Sequence, residues 1–467
     1  MQPNTAQSRP PLDADFLDKL RDLVGERLSL GLSVRQQHGQ DLSYHPGMPP
    51  DAVVFVASTQ EVSHIVTLCA AYRVPVIPYG AGTSLEGHLS ALHGGISLDL
   101  SQMDAIVELN TGDMDVTVQA GVSRKQLNTH LHNTGLFFPV DPGADASLGG
   151  MVATRASGTN AVRYGTMRDN VLALTVVMAD GSIVHTGTRA RKSSTGYDLT
   201  HLMVGSEGTL GVVTEVTVKL HGLAEAISAA VVSFPNLEGA VNAVMQTIQY
   251  GVPIARIEFL DEVQMAAINT YSKLDYPEQP TLFLEFNGSE TSVKEQAELV
   301  KEVCTENGGG DFLWATRQDE REKLWQARHD AAYASMALRP GCKMWVTDAC
   351  VPISSLADCI LETRKDIDDS GLIAPIVGHV GDGNFHLAML LDPDNPDEVA
   401  SARALNDKMI QRVLKMGGTS SGEHGIGMGK IQYMDDEHGQ GVAVMRQIKQ
   451  ALDPQNIMNP GKMLPAL

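Results

Sequence analysis

Apolar residues recur along this chain with two periods, helical and strand-like, that take turns. Ser58-Thr59-Gln60-Glu61 predicts a capping box, and Val62, Ile65, Val66 and Cys69 follow at helical spacing. Residues 74–79 then form a short apolar run that predicts a buried strand ending in a glycine-rich loop. Further strands are expected over 95–100, 106–109, 115–120 and 210–220. A helix is expected over 123–133, and a hairpin over 174–186 around Asp180-Gly181. Residues 12–45 read as a helical N-terminal extension. Beyond Gly222 the texture changes. Strands at 229–234, 255–260 and 281–286 alternate with amphipathic helices at 237–251 and 293–307, which suggests helices on one face of a sheet. The last helix, 442–452, is stopped by Asp453-Pro454. The whole predicts an α+β protein. Its expected divisions are an extension (1–46), a first domain (47–222), a second domain (223–440) and a C-terminal segment (441–467).

The 467 residues include 43 % hydrophobic and 19 % charged positions, an ordinary globular balance with enough chain for a large core. The formal net charge of −21 argues against nucleic acid as a partner. No run approaches a membrane span, and the polar start, 1–11, has neither a secretory nor a transit pattern. The five cysteines are scattered without a CxxC, which points to a reducing, cytoplasmic setting and away from Cys-ligated clusters.

Three constellations could carry chemistry. Gly80-Ala81-Gly82-Thr83-Ser84 directly follows a predicted strand, where small residues let N–H groups converge on phosphate oxygens. It fits neither a Walker loop nor a Rossmann fingerprint. A second small-residue stretch runs from Pro142-Gly143 through Ser147-Leu148-Gly149-Gly150 to Gly158-Thr159-Asn160 and Tyr164-Gly165. Either loop alone could be tight turns; both together favour a large flat ligand such as a dinucleotide. The second constellation is Gly378-His379-Val380-Gly381-Asp382-Gly383-Asn384-Phe385-His386. With Asp382-Gly383 as a two-residue turn, His379 and His386 fall directly opposite, as a metal chelate or as a stacked pair without metal. The third, Ser421-Gly422-Glu423-His424-Gly425-Ile426-Gly427, places a carboxylate and an imidazole among glycines. One carboxylate and two imidazoles make a three-ligand metal site, and His424 beside them is available as a base.

Pro78 to Ser84, the Gly149-Gly150 stretch and Val204-Gly205-Ser206-Glu207-Gly208-Thr209-Leu210-Gly211 resemble, in that order, the FAD-binding domain of the vanillyl-alcohol-oxidase-type flavoproteins. The resemblance implies a two-part FAD domain and an α+β substrate (cap) domain with a mainly antiparallel sheet covered by helices. It implies cofactor contacts from Pro78, Gly80, Ala81, Gly82, Thr83 and Ser84. The second stretch would add Pro142, Gly143, Ser147, Gly149, Gly150, Ala153, Gly158, Tyr164 and Gly165. Glu207, Gly211, Val213 and Asn459 complete the implied set. Some members attach flavin covalently, with His88 the nearest candidate here; the resemblance points to the non-covalent branch.

The histidine and Glu-His motifs, with Leu324-Trp325-Gln326-Ala327-Arg328, Thr347-Asp348 and Asn459-Pro460-Gly461-Lys462, resemble the D-2-hydroxy-acid dehydrogenase branch. That branch includes cytochrome-linked D-lactate dehydrogenases, D-2-hydroxyglutarate dehydrogenases and the flavin subunit of glycolate oxidase. The resemblance implies that His379, His386 and Glu423 hold zinc or manganese, that His424 is the base, and that Arg328 pairs the substrate carboxylate. It implies hydride transfer from a small D-2-hydroxy acid, D-lactate above all, to flavin N5. Members acting on 2-hydroxyglutarate carry Thr, Lys and Asn where this chain has Ala332, Val346 and Ala388, so a monocarboxylate is expected. An external acceptor (quinone, cytochrome or electron-transfer flavoprotein) is implied, and a homodimer and peripheral membrane association stay open. The rival readings are a glycolate oxidase subunit dependent on partner chains and a metal-dependent hydrolase.

Overall fold

A computed structural model describes residues 12–465; the polar stretch 1–11 lies outside the described residues. Strands Ala52–Phe55, Ile96–Asp99 and Val76–Tyr79 form a parallel core of a four-stranded sheet, with Leu28–Ser29 added antiparallel at one edge. Helix Thr59–Tyr72 crosses between two of these strands and buries Val62, Ile65, Val66 and Cys69. Ser58 caps it, accepting from the Glu61 N–H at 3.2 Å. The expected capping box is incomplete. The Glu61 carboxylate instead accepts from the Ala57 N–H at 2.8 Å and pairs with Arg27. Arg27 belongs to the N-terminal segment, whose helices Ala14–Val24 and Leu32–His38 flank the edge strand. Its Phe16, Leu20 and Val24 fill the same core, and Leu28–Ser29 joins the sheet.

A second sheet, wholly antiparallel, follows the order Ile106–Asn110, Asp115–Gln119, Gly211–Lys219, Val171–Met178 and Ile183–His185. The hairpin about Asp180-Gly181 forms as expected, with Val177 opposite Ile183. Between the sheets runs the small-residue stretch, which folds into short helices Leu148–Thr154 and Ala161–Tyr164.

The second half builds one large antiparallel sheet. Strands Ala226–Ser233, Thr281–Gly288, Arg256–Leu260, Ile376–Gly378, Asn384–Leu391 and Lys343–Val346 lie side by side, with Leu313–Ala315 at the other edge. Alternation along the strands assigns each face. Ile257, Phe259, Phe385, Leu387 and Met389 enter a core shared with helices Leu237–Gln249, Glu290–Glu306, Leu356–Ser370 and Pro396–Lys415. Glu258, His386 and Ala388 therefore point to the other face, where Leu260 and Phe283 pack against Trp325 and Ala327 of helix Gln318–His329. The C-terminal segment returns beside the first sheet, where Asn459 N–H donates to the Val76 carbonyl at 2.8 Å.

Candidate active site

The histidine hairpin does not turn as the two-residue reading expected. Asp382 is not among the residues with positive φ, as a type I′ turn requires, and only Gly383 (φ 80°) is left-handed. A 3₁₀ turn, Val380–Asp382, lengthens the connection, so Val377 rather than His379 stands opposite His386. The two rings still meet, with centroids 5.5 Å apart and edges turned to faces.

Both imidazoles present Nε2 to the same Glu423 oxygen, at 3.3 Å from His379 and 3.1 Å from His386. Their Nδ1 atoms are engaged behind: that of His379 bonds Glu258 Oε1 at 2.8 Å, that of His386 donates to the Thr347 carbonyl at 2.9 Å. Such outer partners set the tautomer and aim Nε2 at a common point, as in a metal centre. Burial pushes His379 down, but Glu258 and Glu423 outweigh it and raise it well above the ordinary imidazole value. A second trio, Asp348, His386 and His424, also brings donor atoms within 4.8 Å. His386 Nδ1 is committed to Thr347 there, so the donor set of His379, His386 and Glu423 suits a divalent cation better.

Glu423 and His424 are placed by a buried carboxylate. Asp348 Oδ2 accepts from the backbone N–H of both, each at 2.9 Å, and from Ser421 Oγ at 2.7 Å. The His424 ring stacks on His386 at 5.0 Å, and its Nδ1 is buried without a partner among the described residues. Burial pushes His424 down to about 4, against the pull of Asp348. At neutral pH it is an uncharged imidazole able to take a proton.

Arg328 does not stand free. Its Nη2 and Nε lie 2.8 and 3.0 Å from Glu258 Oε2. One edge of the guanidinium is thereby occupied, and only the remaining N–H groups, chiefly on Nη1, can meet a substrate carboxylate. Val346 stands opposite Ala388 two residues from His386, so the face beside the histidines is apolar there.

The two glycine-rich stretches converge. A Cβ on Gly80 would collide with Ser147 Oγ, and one on Gly82 (φ 71°) would come 2.6 Å from the Tyr79 hydroxyl. Ser147 caps the helix that carries Gly149 and Gly150, accepting from the Gly150 N–H at 3.3 Å. The N–H groups of Gly80 to Ser84 make no backbone hydrogen bond among the described residues. Unpaired N–H groups at the carboxyl end of a parallel strand are a phosphate cradle, so these residues fit a dinucleotide.

Four residues expected on the cofactor also have protein partners. Glu207 accepts through its two carboxylate oxygens from Ile426 and Gly427 N–H, at 2.7 and 2.8 Å, and lies 3.2 Å from His88 Nε2. The Tyr164 hydroxyl accepts from Asn287 Nδ2 at 2.8 Å. The Val213 side chain lies in the core of the antiparallel sheet. Asn459 donates to the Glu207 carbonyl at 2.8 Å, though its Oδ1 is left buried and unpartnered. His88 is buried, a bearing for the Glu207 clasp.

Glu258, Asp348 and the clasp role of Glu207 were not read from the sequence as site residues. Glu258 did carry a signal. In Ala255-Arg256-Ile257-Glu258-Phe259-Leu260 two opposite charges alternate with apolar residues on a strand, marking a polar, inward face.

Comparison with known proteins agrees with this architecture. Residues 50–187 match the FAD binding domain model and residues 223–463 the model for the C-terminal domain of FAD linked oxidases. The chain is 53 % identical over 453 residues to a protein of Danio rerio described as a probable mitochondrial D-lactate dehydrogenase, covering 96 % of this chain and 91 % of that one. It is 43 % identical to the mitochondrial D-lactate dehydrogenase [cytochrome] of Arabidopsis thaliana, covering 97 % and 80 %. Among solved structures, p-cresol methylhydroxylase superposes with a TM-score of 0.78 at 17 % identity, covering 96 % of each chain, a likeness of fold.

Proposed function

Because the chain belongs to the FAD-linked oxidase family, we propose that it oxidises D-lactate or a similar small D-2-hydroxy acid to the 2-oxo acid and passes the electrons to an external acceptor. The observation that carries the reading is the convergence of two imidazole Nε2 atoms and one carboxylate beside a neutral histidine and a partly buried arginine. Arg328 receives the substrate carboxylate through its free edge. The apolar pair Val346 and Ala388 leaves a second carboxylate without a partner, which favours a monocarboxylate. His424 takes the hydroxyl proton as the C2 hydrogen departs. His379, His386 and Glu423 would hold zinc or manganese, whose chemistry is to polarise the hydroxyl. Gly80 to Ser84 and Ser147 to Gly150 would hold FAD, whose chemistry is to accept the hydride. Arg328 acts by positioning, keeping C2 in one orientation.

The acceptor is a quinone, a cytochrome or an electron-transfer flavoprotein; no helix among the described residues is long and apolar enough to cross a membrane. A reducing, cytoplasmic setting suits five unpaired thiols, while the two relatives above are named mitochondrial. The test is an anaerobic visible spectrum before and after D-lactate, L-lactate or glycolate, with and without EDTA pretreatment. Bleaching by D-lactate that is lost after EDTA supports substrate, stereochemistry and metal together. Bleaching by glycolate alone overturns the substrate assignment, and bleaching by D-lactate that survives complete metal removal overturns the metal.

A further inference from the structure

We propose that Glu258 is a positioning residue that ties the metal site to the carboxylate-binding arginine, so that one buried carboxylate sets both subsites. The inference rests on the assignment of His379 as a metal ligand and Arg328 as the carboxylate receptor. Glu258 sits mid-strand in the large sheet, opposite Phe283, with its side chain 1 % exposed. A carboxylate so buried must be paired, and its two oxygens divide the work. Oε1 takes the Nδ1 side of His379 at 2.8 Å, and Oε2 takes Nε and Nη2 of Arg328 at 3.0 and 2.8 Å.

Had Glu258 served only to neutralise Arg328, a side-on pair using both oxygens would be the stronger geometry. Instead the guanidinium shares one oxygen and the other is spent on an imidazole. The two contacts come from distant parts of the chain, helix Gln318–His329 and the turn after strand Ile376–Gly378. They constrain different things. With Nδ1 held, His379 can offer only Nε2 to a cation. With its Nε edge held, Arg328 can offer only the Nη1 edge to a substrate.

The same strand face is anchored to the first domain two residues earlier. Arg256 donates to Asn160 Oδ1 at 2.7 Å, lies 3.5 Å from Asp141 Oδ2 and stacks over Trp325. Asp141 in turn accepts from Thr159 Oγ1 at 2.6 Å and Asn160 N–H at 2.9 Å, in the small-residue stretch. Strand Arg256–Leu260 thus spaces three elements along one face: the cofactor-side stretch at Arg256, and the metal histidine and the substrate arginine at Glu258. His386, the other imidazole ligand, leans on a backbone carbonyl and needs no such side chain.

The experiment uses FAD-loaded full-length protein. Mn²⁺ affinity is measured from the electron paramagnetic resonance of free Mn²⁺, and kcat and KM for D-lactate are measured at saturating Mn²⁺. Glu258→Gln keeps one acceptor oxygen and turns an N–H group on the other donor. It should weaken Mn²⁺ binding 10- to 100-fold, the usual loss for an outer partner of a ligating histidine. KM should stay raised about tenfold at saturating metal, with a smaller change in kcat. Arg328→Gln should raise KM while leaving Mn²⁺ affinity within a few-fold. If Glu258→Gln does not fold, Glu258→Asp keeps the charge on a shorter arm and should move both quantities the same way.

Mn²⁺ affinity within twofold of the parent in a folded Glu258 variant overturns the inference while leaving the metal site standing. Weakened Mn²⁺ binding with an unchanged KM overturns the coupling, leaving Glu258 a partner of His379 alone. A parent protein that binds neither Mn²⁺ nor Zn²⁺ at one per chain overturns the metal assignment, and the inference with it.

Discussion

Replacing Glu207 with Ala should lower the melting midpoint by about 3–6 °C and weaken metal binding at a site its side chain does not touch. The Glu207 carboxylate is buried and accepts two backbone N–H groups from the loop that carries Glu423 and His424. A hydrogen bond to a charged group contributes about 1.5–3 kcal/mol, so losing both costs about 3–6 kcal/mol. Unfolding entropy of about 2.1 cal/mol/K per residue near 60 °C, over 467 residues, makes one degree worth about 1 kcal/mol. Glu207 also sits at φ 53°, a conformation that costs a non-glycine residue about 1–2 kcal/mol. Glu207→Gly relieves that strain and should fall less far than Glu207→Ala; Glu207→Gln keeps one acceptor and should also lie between. Calorimetry of the FAD-loaded protein with Mn²⁺ titration alongside reads both effects. A midpoint within 1 °C of the parent for Glu207→Ala, or intact metal affinity in a protein that has lost several degrees, would refute the clasp.

Three further outcomes are expected. His424→Ala should slow flavin reduction by D-lactate about 10²- to 10⁴-fold in stopped flow, with Mn²⁺ affinity changed only a few-fold; reduction at the parental rate would remove it as the base. Metal binding should weaken as pH falls: Glu258 and Glu423, prevailing over burial, hold a proton on His379 that a cation must displace. Below the raised His379 pKa each unit of pH should therefore weaken Mn²⁺ about tenfold, and a flat affinity from pH 6 to 8 would contradict this. Gly80→Ala should lower FAD affinity about 5- to 150-fold, since a new methyl meeting Ser147 Oγ costs about 1–3 kcal/mol; full flavin content after dialysis would show that the two loops do not form one cradle.

Local pattern alone carried much of this protein. The alternation of Ile257 and Phe259 with Arg256 and Glu258, and of Phe385 and Leu387 with Asn384 and His386, reports which face of a strand meets the core, because side-chain period is set by backbone geometry within a few residues. The unpaired loop Gly80 to Ser84 and the Glu423-His424 pair were legible for the same reason: small or chemically distinctive residues stand consecutively. The histidine hairpin was legible only in part. Both imidazoles reach one carboxylate, but their register depends on whether Asp382 adopts positive φ, and it instead ends a 3₁₀ turn whose Val380 and Gly381 are buried.

What the tertiary structure alone decided is the pairing of buried charges. Glu258 meets Arg328 across 70 residues and His379 across 121, and Glu207 meets Ile426 across 219. No period in the chain encodes such contacts, since they form only when separately folded elements dock and strip water from their charges. Arg328 shows the consequence. Its guanidinium is a fit partner for a carboxylate wherever it stands, and only packing settled that its first carboxylate is Glu258, leaving one edge open. Composition and period thus determined the elements and the inventory of reactive groups, while desolvation on docking determined which of those groups hold one another and which are left to bind a ligand.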